Sequence, residues 1–333
     1  MTRPAVSGPV ATEPVTDPDE EIFLLYTALQ GAPASSNSET NFRGLGHVDS
    51  RADILTVRLE LQPPLEIEEA TCRSASSDVS AVSEVEEKGK RHRHGKRGKA
   101  SSRRKSAAQP MGKIIEIELR QDKTALHSRK GDTGSVLWKA SIDFGKAVLE
   151  QLHFGARLPL FMKDVLATSH VLELGAGTGL LALLFAPFVA HYTVTDIPQL
   201  VPLIQKNISA SETNVSNVTA SALDWLLLQS TPSSSRSCHF VYSPCPPDLL
   251  LVVDCIYHPS LLPALVETID WISVPGETLV VVVVELRAED VLRSFLSLWI
   301  QKGTWVISRV LDLLQLPYVV WIGYKLEDED HPI

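Results

Sequence analysis

The densest chemical signal in the chain is Val171-Leu-Glu-Leu-Gly-Ala-Gly-Thr-Gly-Leu180. An apolar run carrying Glu173 ends in Gly175, Ala176, Gly177 and Gly179, and a second apolar run starts at Leu180. Glycine has no Cβ, so the backbone can turn tightly there and a ligand can come close. A helix opening just beyond would add free N–H groups and positive potential. Asp196 ends the next apolar run, where a carboxylate can accept hydrogen bonds from both hydroxyls of a ribose. The spacing is G-x-G-x-G preceded by a glutamate, not the G-x-G-x-x-G of dinucleotide sites. It fits a different nucleoside ligand, the methyl donor S-adenosyl-L-methionine. The competing reading is a tight turn between strand and helix that holds no ligand.

Two tryptophans and a carboxylate extend the pattern. Trp225 follows Asp224 after the third apolar run. An indole can stack on a flat adenine, and the neighbouring carboxylate can accept from the adenine amino group. Trp138 opens a helical pattern and would stand near the methionine end of such a donor. Either tryptophan could equally belong to the core. Farther on, Val253-Asp-Cys-Ile-Tyr257 closes a fourth run. In open parallel sheets, ligands bind beyond the carboxyl ends of the strands, at the point where the strand order reverses. Asp254 and Tyr257 are therefore the candidate catalytic pair. A carboxylate and a phenol there could hold an amine in line for displacement at a sulfonium carbon and assist its loss of a proton. Asp254 as the cap of the following helix is the plainer alternative.

The elements that must position these residues alternate. Trp138, Ile142, Gly145, Leu149 and Leu152 recur at helical intervals. Short buried strands are expected at 171–174, 192–195, 218–223, 249–253 and 279–284, with helical patterns between most of them, as in a parallel sheet covered on both faces. The runs 304–311 and 318–325 have no room for a helix between them and should be antiparallel. Upstream, 54–61 and 115–119 alternate apolar and polar residues and could form a hairpin. Residues 1–19, rich in Pro, Thr and acid, read as a disordered tail, and 20–30 as a short helix.

With 333 residues, 44% of them hydrophobic, the chain can bury a sizeable core, and a net charge of −9 argues against a general nucleic-acid binder. That charge is unevenly spread: ten basic residues and no acid lie between Lys88 and Lys105. This block, inside a low-complexity stretch at about 71–110, reads as a solvated insertion, or as a nuclear-import signal or rRNA contact. Four cysteines form no C-x-x-C pair, so neither a disulfide framework nor a metal site is expected. With no secretory pattern and no apolar run long enough to span a bilayer, a cytosolic or nuclear location and no membrane partner are expected. Oligomeric state is not legible.

Gly134-Ser-Val-Leu-Trp138, Leu172-Glu-Leu-Gly-Ala-Gly177, Thr195-Asp196, Gln205-Lys-Asn207, Leu223-Asp-Trp225 and Asp254-Cys-Ile-Tyr257 together resemble the seven-strand protein-lysine methyltransferases known as methyltransferase family 16. The resemblance covers about 134–325. It implies an α/β fold: a Rossmann-like seven-strand class I methyltransferase sheet with an antiparallel C-terminal pair, here plus an N-terminal β-hairpin extension over 20–133. It implies S-adenosyl-L-methionine as cofactor, held by Trp138, Glu173, Gly175, Ala176, Gly177, Asp196, Asp224, Trp225 and Asp254. The D-x-x-Y motif, Asp254 with Tyr257, is associated in that family with the substrate lysine. Val136-Leu-Trp138 with Phe144, and Glu285-Leu-Arg-Ala-Glu289 leading to Val291 and Phe295, resemble a fungal branch that methylates a lysine of a large-subunit ribosomal protein. His258-Pro259 and the long Ser/Pro-rich segment 229–247 depart from the family pattern near the expected substrate entrance. Methylation of nucleic acid or a small molecule is a second reading, although a D-P-P-Y or N-P-P-Y tetrad is absent. A non-catalytic module is a third.

Overall fold

The computed structural model describes residues 3–31, 46, 48–49, 52–64, 112–122, 134–213, 215–238, 240 and 245–327. The basic block between Lys88 and Lys105 lies outside the described residues.

Five parallel strands form the centre of the sheet: β4 (His170–Leu174), β5 (His191–Asp196), β6 (Val218–Ala222), β7 (Leu249–Val253) and β8 (Leu279–Glu285). With β1 (Thr12–Pro14), β9 (Trp305–Val310) and β10 (Tyr318–Lys325), the order is β1-β9-β10-β8-β7-β4-β5-β6. The order reverses at β4, between β5 and β7. β10 runs antiparallel between β8 and β9. The seven expected strands and the antiparallel C-terminal pair are all present, and the fold is that of a class I methyltransferase.

Side chains explain the centre. Every residue of β7 is buried, and so is all of β8 up to Val284. Successive side chains of a strand point to opposite faces. Leu279, Val281 and Val283 accordingly enter one apolar cluster, and Val280, Val282 and Val284 the other. Helices α2 (Lys139–Phe154) and α4 (Leu180–Phe185) cover the first face; α3 is the single turn Lys163–Leu166. Helices α1 (Pro18–Gly31), α7 (Leu262–Ile272) and α8 (Glu289–Ile300) cover the second. Near the sheet's other edge lie α5 (Val201–Ala210) and α6 (Trp225–Ser230). Among the described residues, no helix is long and apolar enough to cross a membrane.

The hairpin forms as a separate two-stranded sheet, β2 (Ile54–Leu61) with β3 (Lys113–Arg120), paired from Ile54 opposite Arg120 to Leu61 opposite Lys113. Val57, Leu59, Leu61, Ile117 and Leu119 join the first apolar cluster. The hairpin is therefore built into the same core as the sheet.

The disordered tail expected over 1–19 is corrected. Thr12, Glu13 and Pro14 pair with Val310, Arg309 and Ser308, adding an eighth strand at the sheet edge. Val6, Val10 and Val15 are buried. A proline is tolerated because an edge strand has one side that needs no donor. Glu21 of α1 anchors the segment: its two carboxylate oxygens accept from Trp321 Nε1 at 2.8 Å and Arg309 Nη1 at 3.2 Å.

Candidate active site

The glycine turn sits where the strand order reverses. Gly175, Gly177 and Gly179 have φ of 65°, 58° and 80°, a region that glycine enters without a Cβ penalty. The closest approaches there come from the protein itself. A Cβ on Gly175 would lie 2.7 Å from Cys255 Sγ and 3.2 Å from the Trp225 ring; one on Gly177 would lie 2.7 Å from the Gly134 carbonyl oxygen. These glycines let the ends of β4 and β7, the Trp225 loop and the segment before α2 converge. The helix that follows, α4, has only six residues. Its macrodipole is short, so positive potential is a smaller part of the turn's role than the sequence suggests.

A cavity of about 480 Å³ opens above this convergence, within the range of small-molecule and cofactor sites. Its lining brings together all ten residues singled out in the sequence: Trp138, Glu173, Gly175, Ala176, Gly177, Asp196, Asp224, Trp225, Asp254 and Tyr257. The sequence reading missed its apolar walls, Ile197, Leu200, Leu223 and Leu226. The signal was available: apolar residues directly follow or precede the acids that end the strands.

Several roles differ from those expected. Asp196 Oδ2 accepts the Gly177 N–H at 2.8 Å and Oδ1 accepts the Ile197 N–H at 2.7 Å. It thus fixes the turn at the cavity wall. Asp224, expected at an adenine amino group, lines the cavity and also caps α6: its Oδ1 accepts from Leu226 N at 2.9 Å and Leu227 N at 3.2 Å. The Asp-Trp-Leu-Leu-Leu sequence is itself a helix-start signal. Trp225 packs on the second apolar cluster while still lining the cavity. Its indole Nε1 is buried without a hydrogen-bond partner, an open donor beside the cavity. Glu173 lies fully inside and accepts the Tyr192 hydroxyl at 2.8 Å. Burial pushes its carboxyl up to about 8, against the lowering effect of Tyr192.

Asp254 departs most. It is not the helix cap; His258 Nδ1 accepts from Ser260 N where the next helical turn starts. Nor is it a lone carboxylate awaiting a cation. Arg287 Nη1 and Nη2 donate to its two oxygens at 2.9 and 2.7 Å. Its φ of 58° is rare for a residue with a side chain. Burial raises its carboxyl above the ordinary range, and Arg287 opposes the rise. Tyr257 is exposed at the cavity mouth. Arg287 was missed because 33 residues separate it from Asp254. The available hint was a charged Glu285-x-Arg287 directly after an apolar strand.

The segment before α2 is fixed by Gln121. Its Oε1 accepts from Leu137 N at 2.7 Å, and its Nε2 donates to Asp49 O at 2.7 Å and Ala52 O at 2.9 Å. Trp138 immediately precedes α2, half-buried, as one wall of the cavity.

The buried, unbonded indole N–H of Trp225, the Asp196 carboxylate in the cavity lining and the apolar walls suit an adenine nucleoside. Buried carboxylates without a lysine or arginine at Glu173 suit a ligand bearing positive charge. S-adenosyl-L-methionine has both properties.

Comparison with known proteins agrees. Residues 119–300 match the lysine methyltransferase family. The chain is 33% identical over 184 residues to a diaminohydroxyphosphoribosylamino-pyrimidine deaminase of Schizosaccharomyces pombe, covering 54% of this chain and 41% of that protein. It is 31% identical over 105 residues to EEF1A lysine methyltransferase 3 of Xenopus tropicalis, covering 32% and 42%. It is 29% identical over 126 residues to protein-lysine methyltransferase METTL21E of Bos taurus, covering 37% and 41%. The chain spans about two-fifths of the length of these relatives. Among solved structures, an O-methyltransferase from Bacillus cereus in complex with SAH is similar at a TM-score of 0.38 and 14% identity, covering 55% of this chain and 80% of that one. With the glycine turn, Asp196 and the D-x-x-Y pair around one cavity, and more than half of its residues matched, the chain belongs to the lysine methyltransferase family.

Proposed function

We propose that the protein is an S-adenosyl-L-methionine-dependent protein-lysine N-methyltransferase. The observation that carries this reading is that the glycine turn and Asp196 share one cavity with Asp254 and Tyr257 of the D-x-x-Y motif. The donor supplies a methyl group on a positively charged sulfur. Asp196 would hold its ribose, Trp225 and the leucine and isoleucine walls its adenine, and Trp138 and Glu173 its methionine end. Asp254 attracts the lysine ammonium with the lone pairs that Arg287 leaves free. The exposed mouth at Tyr257 gives the departing proton a path to water, and the phenol orients the neutral amine for in-line attack.

The substrate we propose is a lysine of a large-subunit ribosomal protein, as for the fungal ribosomal lysine N-methyltransferase 5 that the motifs resemble. Two similar proteins, named for lysine methylation of EEF1A and of protein, support a protein acceptor. The deaminase similarity adds no zinc-deaminase reading, since the chain has no C-x-x-C pair. A ribosomal substrate would be met in the cytosol or nucleus, and the basic block between Lys88 and Lys105 would then contact rRNA.

The test is labelled-methyl transfer into extract from a strain deleted for the gene, with mass spectrometry of the labelled band. A labelled lysine in a large-subunit ribosomal protein is expected. Label in RNA or a small molecule overturns the protein-acceptor reading, and label in another protein overturns the ribosomal one. In the same assay Asp254→Asn and Tyr257→Phe should lose most turnover while keeping donor binding by calorimetry.

A further inference from the structure

Arg287 stands at the centre of the acceptor end of the cavity. Its guanidinium bonds both oxygens of Asp254 and donates through Nη2 to Glu285 Oε2 at 2.7 Å. Its Cζ lies 5.0 Å from the centre of the Trp138 ring. The contacts come from the end of β7, the end of β8 and the start of α2. Above it lies the backbone of Gly46, whose carbonyl accepts the Lys139 N–H at 2.9 Å. A Cβ on Gly46 would fall 2.2 Å from Arg287 Nη2.

We propose that Arg287 is the positioning residue of the acceptor site: its fork fixes the Asp254 carboxylate against the Trp138 wall and leaves that carboxylate's remaining lone pairs to the incoming lysine. The proposal rests on the reading of Asp254 as the acceptor residue.

The geometry supports it in three ways. A carboxylate offers about four lone-pair sites; the bidentate guanidinium occupies two and the Glu285 backbone N–H another, which leaves room for one lysine donor. The fork also holds the plane of a carboxylate whose own backbone sits at φ 58°, so the strained turn has a fixed outcome. Finally, Asp254 and Glu285 carry two negative charges against one guanidinium, a balance that leaves one charge for one ammonium. A lysine in place of Arg287 would keep the charge but not the planar fork.

The charged and titratable groups facing Asp254 are Arg287 and Glu285 at the exit of β8, Cys255 in its own turn, and Tyr318 of β10, with Asp143 of α2 beside Tyr318. Burial and Glu285 favour the protonated carboxyl; Arg287 is the cation opposing them. Without Arg287 the balance shifts toward the protonated carboxyl, and Asp254 loses part of its pull on a lysine ammonium, more so as the pH falls. Raising the pH restores the anion.

The experiment measures labelled-methyl transfer by the full-length protein into the deletion-strain extract from pH 6.5 to 9, for the wild type, Arg287→Gln, Arg287→Lys, Gly46→Ala and Asp254→Asn. Donor affinity is followed by calorimetry and folding by circular dichroism. An opposite charge at this range moves a carboxyl by about one to three pH units. Arg287→Gln should therefore fall below the wild type, with the gap widest at pH 6.5 and narrowing steadily toward pH 9. Its donor affinity should stay within about threefold of wild type, well under 1 kcal/mol. Arg287→Lys should regain most of the loss at neutral pH. Gly46→Ala also displaces the guanidinium but strains a backbone at φ 88°, so the conservative Arg287→Lys variant and circular dichroism are the guard against misfolding. A ratio of Arg287→Gln to wild type that is flat with pH, or donor binding lost in step with turnover, overturns the proposal and leaves Arg287 a structural ion pair. Normal turnover by Asp254→Asn instead overturns the acceptor reading beneath it.

Discussion

Replacing Glu173 by glutamine should shift the stability difference in the variant's favour as the pH rises from 5 to 8.5. In the unfolded chain Glu173 loses its proton near 4.5; in the fold, burial delays that loss to about 8. Between these values the folded state binds the extra proton, so folding loses stability as the pH rises through the window, and loses none below 4.5. At about 1.4 kcal/mol per pH unit, the cost is about 3 kcal/mol at pH 7 and levels off near 5 kcal/mol above pH 8. Glutamine never ionises, and its oxygen can still accept the Tyr192 hydroxyl. Its amide N–H₂ has no evident partner, which lowers stability by about 1–3 kcal/mol at every pH. The signature is therefore the change in the mutant-minus-wild-type difference across pH. Urea unfolding at pH 5, 7 and 8.5, without donor, measures it. The reasoning also requires that a positively charged donor favour the ionised carboxylate, so wild-type binding near pH 7 should release a proton. Calorimetry in two buffers of different ionisation enthalpy counts that proton. A mutant-minus-wild-type difference that is equal at pH 5 and pH 8.5 would refute the account of Glu173.

Gly175→Ala places a methyl group 2.7 Å from Cys255 Sγ at a φ of 65°; it should cost at least about 1–2 kcal/mol of stability and weaken donor binding, read by thermal melting and calorimetry. Asp196→Ala removes the acceptor for the Gly177 and Ile197 N–H groups and for the ribose. Donor affinity should fall at least about tenfold, given charge-assisted bonds of about 1.5–3 kcal/mol each; unchanged affinity assigns the ribose to another group. Glu21→Ala leaves the Trp321 indole N–H buried without its partner and Arg309 with Glu13 alone, and should cost about 2–3 kcal/mol in urea unfolding. A loss under about 0.5 kcal/mol would mean that α1 is held by its apolar face alone.

The parallel centre was legible because its strands are continuous apolar runs, and the glycine turn because few residues tolerate those φ values. What escaped depends on partners distant in sequence. Thr12-Glu-Pro14 has three residues, one of them a proline, and nothing local marks it as a strand; its structure comes from Val310, Arg309 and Ser308 at the other end of the chain. The exception is the capping role of Asp224, whose two backbone partners lie within three residues of it and were locally legible beside its place in the cavity. The cavity lining was visible residue by residue, but the state of Asp254 was not, because the sequence does not reveal that Arg287 folds back onto it.

The pairing of β1 with β9 also has a consequence for folding order. A ribosome makes β1 long before its partner strand, so this contact is strongly non-local. Until residues 305–310 emerge, β1 has no sheet to join, and once they emerge β9 exposes an open edge until β1 docks. Open edges recruit other chains. β1 therefore acts as a late clasp that separates the finished fold from a sticky intermediate. A purification tag or truncation that perturbs residues 3–15 would be felt first as aggregation during refolding, with little change in the donor cavity across the sheet.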